Sequence, residues 1–157
     1  MGKVETRRPA KDLYEADFYA WTQEQARLLR ERRWADLDLD NLVDEVESVG
    51  RSDKREIESR LEVLIAHLLK WKFQPGGRGS SWRNTISEQR RRLAMIVEDS
   101  PSLASFLRQE AIDSYRAGHL KAADETRIAF GLFPEQSPFT PEQVLDPEFL
   151  PEDRSIE

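Results

Sequence analysis

Apolar residues recur along this chain at steps of three and four, the period of a helix buried on one face. Phe18, Trp21, Leu28 and Leu29 set such a face between about residues 15 and 33, and Trp34 and Leu37 follow in a connector. Leu42, Val43, Val46 and Val49 give the inward stripe of a second helix, capped by Asp38 or Asp40 and stopped at Gly50. Ser52 caps a third, in which Ile57, Leu61, Leu64, Ile65, Leu68 and Trp71 turn inward. Its Glu56 and Glu58 lie near the positive end of the helix dipole, and Lys70 and Lys72 near the negative end. Glycines at 76, 77 and 79 mark residues 74–80 as a loop. Ser81 then caps a fourth helix, with Trp82, Ile86, Leu93, Ile96 and Val97 inward.

Ser100 before Pro101 opens a fifth helix, lined by Leu103, Phe106, Leu107, Ala111 and Tyr115. Gly118 is a point of interruption or kink, after which Leu120, Ala123 and Phe130 keep a helical spacing. Thr140-Pro141-Glu142-Gln143 is a capping box for a short terminal helix. Pro134, Pro138, Pro147 and Pro151 make the rest of the tail extended. No segment alternates with period two, and no repeat is present. The pattern predicts an all-α fold: a compact bundle of five to six helices, helices one to four mainly antiparallel to their neighbours, with an extended Pro-rich C-terminal tail across the outside. Residues 1–12 read as a flexible arm, 13–151 as one helical domain and 152–157 as a terminal tail.

Composition refines this picture. Charged residues make up 34%, above the usual level of about 25%. With apolar positions so periodic, the surplus belongs on solvated helix faces. The net charge of −6 is unevenly spread: residues 54–92 hold ten basic and four acidic side chains, between two acidic ends. There are no cysteines, which excludes disulfides, zinc thiolates and a cysteine nucleophile. No apolar run approaches the roughly 18 residues of a membrane span, so no membrane association is expected. The polar start lacks a secretory h-region, and the expected location is the cytoplasm. Residues 1–6 fit the short myristoylation pattern, but nothing else supports that modification.

Several stretches, taken in order, have a familiar arrangement. They are Leu13-Tyr14-Glu15-Ala16-Asp17-Phe18-Tyr19-Ala20-Trp21, Asn41-Leu42-Val43-Asp44-Glu45-Val46-Glu47-Ser48-Val49-Gly50-Arg51-Ser52 and His67-Leu68-Leu69-Lys70-Trp71. Ser81-Trp82, Ile86, Gln89-Arg90, Phe133-Pro134 and Pro138-Phe139-Thr140 complete the set. In order and spacing the chain resembles the bacterial family DUF29, common in cyanobacteria, over nearly its whole length. The resemblance implies an all-helical fold and no reaction.

Candidate chemistry is sparse. Asp36, Asp38, Asp40 and Glu47 stand where an EF-hand loop places calcium ligands. The position that needs Gly is Asn41, and the stripe from Leu42 to Val49 requires Asp44 to Glu47 to be helical, so a capped helix start is the favoured reading. Glu45, Glu47 and His67 invite a transition-metal site. On a helical hairpin turning at Gly50, however, Glu45 and His67 would lie about 16 Å apart at 1.5 Å per residue. His67 therefore reads as a core-edge residue beside Trp71. Trp21, Trp71 and Trp82 have core spacing, and no serine–histidine–acid arrangement stands out. The Gly76–Ser81 loop with Arg78 and Arg83 has the makings of an anion nest ahead of a helix, yet it lacks the strand and Lys of a phosphate-binding loop. Arg90, Arg91 and Arg92 fan over about 200 degrees of a helix and cannot share one partner.

The expected function is that of a non-catalytic helical interaction protein, its partner another protein or a second copy of itself. An anion or nucleic-acid binder using Arg78, Arg83, Arg90 and Arg91 in the basic region 54–92 is the alternative, with nucleic acid disfavoured. That basic surface serves equally well to pair with the acidic segment 135–157. A metal-dependent enzyme is the second alternative. No cofactor is expected.

Overall fold

The computed structural model describes residues 10–151, so most of the arm read over residues 1–12, the myristoylation pattern within it and the segment 152–157 lie outside the described residues. Its helices are α1 (Ala10–Ala16), α2 (Phe18–Arg30), α3 (Leu39–Phe73), α4 (Ser80–Asp99), α5 (Ala104–Asp113), α6 (Tyr115–Thr126) and α7 (Pro141–Leu145). Single 3-10 turns occupy Trp34–Asp36, Pro75–Gly77, Pro101–Leu103 and Phe130–Leu132. No strand occurs among the described residues, as the absence of period-two alternation requires.

Helix boundaries depart from the pattern where backbone chemistry outweighs it. The first predicted helix is two: the run from Ala10 to Ala16 consists mainly of good helix formers. Asp17 then breaks it, and its Oδ1 accepts the Ala20 N–H at 3.0 Å to cap α2. α2 stops through a Schellman pair, Arg33 N–H to Leu28 O at 2.9 Å and Arg32 N–H to Leu29 O at 3.1 Å. That motif places Arg32 in the left-handed region at φ 56. The predicted second and third helices are one. Gly50 does not stop the chain, and α3 runs through it for 35 residues. The predicted fifth helix breaks at Ser114, not at Gly118. Gly118 is instead a close-packing residue of α6, where a Cβ would lie 2.6 Å from Ile65 Cγ2.

The chain divides into two compact units, Met1–Arg51 and Ser52–Glu157. In the first, Trp21 and Leu28 are buried, and the Trp21 indole donates to Asp38 Oδ2 at 3.0 Å. Gln25 Oε1 accepts the Asp38 N–H at 2.9 Å, which ties α2 to the start of α3. Tyr14 packs edge-on to Trp21 and Phe18 and donates its hydroxyl to Glu45 at 2.6 Å.

In the second unit, Ile57, Leu61, Leu64, Ile65, Leu68 and Leu69 of α3 are fully buried. Ile86 and Leu93 of α4, Leu107 and Ala111 of α5, and Tyr115 and Ala122 of α6 close around them. Phe133, Phe139 and Val144 bring the tail into the same core. Thr140 forms the predicted capping box with Gln143. Ser81 does not cap α4, which begins at Ser80 behind Gly79 without a side-chain cap. Ser100 makes no cap bond either, since the chain first takes a 3-10 turn at Pro101.

Candidate functional site

The arginines named for anion binding fall in three different settings. Arg78 Nε donates to Trp71 O at 2.6 Å, and its guanidinium sits 5.6 Å from the Trp71 ring. Arg83 takes the same distance from that ring and is exposed. These two are brought together around one indole. Arg90 is not with them: it is buried, and its fork donates to Val144 O (2.8 Å), Phe149 O (2.7 Å) and Gln143 O (3.0 Å). Burial lowers its pKa to about 10, against the opposing pull of Asp146. Every arm of Arg90 is spent on the tail, so this side chain fastens residues 143–149 rather than offering charge to a ligand. Arg91 lies on the exposed side of α4 and grips Glu88 at 2.8 Å. Arg92 shares that carboxylate, and the two hold the Glu88 pKa down at about 2.

A second aromatic contact flanks this region. Lys70 is buried, bonds Glu125 at 2.9 Å and lies 4.8 Å over the Trp82 ring. Trp82 is half-buried rather than fully inward, and it presses on the loop so closely that a Cβ at Gly77 would come within 2.3 Å of the ring. The glycine at 77 is thus required by the indole, and the loop it belongs to is a packed connector.

The metal candidates do not converge. α3 begins at Leu39, so Asp40 and Glu47 ride on helical turns, where an EF-hand needs loop. Asp38 is buried and holds Trp21 and, through Oδ2, Asn41 at 2.8 Å. Asp36 pairs with Arg33 at 2.8 Å. Asp38 Oδ1 and Gln25 Nε2 are buried without a protein partner. From Glu45 to His67 the chain is helix throughout, so the hairpin that would relate them does not exist. His67 is half-buried, its Nδ1 lies 2.8 Å from Val63 O, and burial lowers its pKa. Asp53, Glu56, Asp99, Arg92, Met95 and Ile96 line a shallow cavity of about 200 Å³. Among the described residues no three His, Asp or Glu side chains are placed to hold a metal ion, and no helix is long and apolar enough to cross a membrane.

The feature the pattern misassigns is an apolar face left open. Leu39, Val43, Val46 and Val49, on the first turns of α3, are 61%, 47%, 67% and 69% exposed. Periodicity alone turns this stripe inward. Only Leu42, partly buried, is withdrawn from solvent. The structure corrects that orientation; Phe18, Tyr19, Leu29 and Trp34 are also exposed in the same unit. Aliphatic side chains at helical spacing can bury area against a partner and offer no acid, base or nucleophile.

A family model described as a domain of unknown function, DUF29, matches residues 13–150. Neither a curated protein nor a solved structure matches the chain.

Proposed function

Because this chain belongs to the DUF29 family, whose function is not known, we propose from its geometry that it is a non-catalytic interaction protein that docks a partner on the first turns of α3. The observation that carries this reading is the open row Leu39, Val43, Val46 and Val49. A valine two-thirds exposed on a helix has no reason to recur at helical spacing unless something covers it, since surface helix positions are ordinarily polar. The nucleic-acid alternative draws less support. Of the four arginines it relies on, Arg90 is committed to three carbonyls and Arg91 to Glu88.

A photo-crosslinking side chain at position 46 tests the reading in living cells, with the same group at Asp113, exposed on α5, as the control. Position 46 should yield a discrete crosslinked species that position 113 does not. Equal or absent crosslinking at both positions would remove the docking role.

A further inference from the structure

Trp21, Gln25 and Leu28 follow one another at steps of four and three, so Gln25 stands on the inward face of α2 between two apolar side chains. Gln25 is 1% exposed, and Asp38, just ahead of α3, is 5% exposed. Part of what these polar groups need is met within the first unit. Gln25 Oε1 accepts the Asp38 N–H at 2.9 Å. Asp38 Oδ2 accepts the Trp21 indole at 3.0 Å and the Asn41 amide at 2.8 Å. Two atoms are left over: the donor Gln25 Nε2 and the acceptor Asp38 Oδ1, both buried with no protein partner. Turning the carboxamide over would set its NH2 against the Asp38 N–H, two donors face to face, so the backbone bond fixes which end of Gln25 is unmet.

We propose that Gln25 Nε2 and Asp38 Oδ1 hold one internal water molecule between α2 and the start of α3. The two groups are joined by the Asp38 N–H bond, so the unmet atoms are neighbours. They do not bond each other directly. A buried donor and acceptor that stand side by side and miss a direct bond are what a bridging water joins. The inference is independent of the docking role of α3.

The chemistry decides between occupants. A metal ion or an ammonium would suit the carboxylate oxygen, but the hydrogens on Nε2 would face it. An anion would suit Nε2 and be repelled by Oδ1. A group that both accepts and donates serves the two at once, and that is a hydroxyl. Because both atoms are closed to solvent, a hydroxyl carried on a larger molecule has no way in, and water is left. It accepts from Nε2 and donates to Oδ1, the second a charge-assisted bond. With the water in place, every polar group that ties Trp21 and Gln25 to Asp38 has a partner.

The test uses the full chain, labelled with nitrogen-15. Water-selected NOE and ROE spectra should show a cross-peak between the Gln25 side-chain amide and water, with opposite sign in the two experiments, the mark of a water that stays longer than the molecule takes to tumble. Gln23, exposed on the same helix, should lack that pair of signals. A high-resolution crystal structure should show one spherical peak about 3 Å from both Gln25 Nε2 and Asp38 Oδ1. No water cross-peak at Gln25 would overturn the proposal. So would a peak held at the metal–oxygen distances of about 2.0–2.6 Å, or a Gln25 amide that bonds a protein oxygen in the crystal.

Discussion

One helix, α3, carries two apolar rows with opposite fates. From Ile57 to Leu69 the row is shut away, with Leu61, Leu64, Ile65 and Leu68 wholly inaccessible. From Leu39 to Val49 the row has the same spacing and stands in solvent. The local physics is shared: three-and-four periodicity, with charges on the other face. What differs is cover, supplied to the later row by α4, α5, α6 and the tail. Periodicity therefore reports the side on which apolar residues collect and is silent on whether the chain itself provides what meets them.

The sharpest way to break the contrast is to truncate one residue of the buried row. Leu64→Ala should destabilise the protein by about 3–5 kcal/mol in urea unfolding, because the site is enclosed on all sides. A loss as small as that of a surface change would deny that the row is core. Next in size is Arg90→Ala, which removes the donor for three tail carbonyls and should cost about 3 kcal/mol. Arg90→Lys should recover only part of this, since an ammonium lacks the guanidinium fork.

Arg90 also shows why parts of the site are hidden in the sequence. Its partners lie more than fifty positions further on, so nothing near it distinguishes it from Arg91 or Arg92. The capping box at Thr140 is legible because all its atoms belong to four consecutive residues. Gly50 misleads because a glycine ends a helix only where the chain has reason to turn, and here the residues after it continue as helix. The end of α2 is invisible because Arg32, not a glycine, takes the left-handed position. Gly118 stands out in the sequence, but its reason is the Ile65 side chain from a helix distant along the chain. The open face is concealed by its own regularity, since its spacing is the one that marks a buried row elsewhere in the same helix.

Smaller effects sharpen the contrast further. A methyl group added at Gly50 would meet no atom within 4 Å, so Gly50→Ala should add about 1 kcal/mol of stability by favouring helix. Destabilisation in the thermal transition would mean that the backbone turns there after all. Smallest of all is Val46→Ser, which should change unfolding free energy by less than about 0.5 kcal/mol. A loss comparable with Leu64→Ala would show that the chain already covers the row.

The continuity of α3 through Gly50 also makes the helix a ruler for amide hydrogen exchange. Its early amides are guarded chiefly by their own hydrogen bonds and can exchange through local opening, whereas those past Ile57 must await disruption of a packed core. Protection should therefore rise in a step along a single element, with the glycine at 50 as its weakest stave. A molecule that settles on the valines would slow exchange in the first turns alone, and the advance of that step toward Leu39 would measure how many turns it occupies.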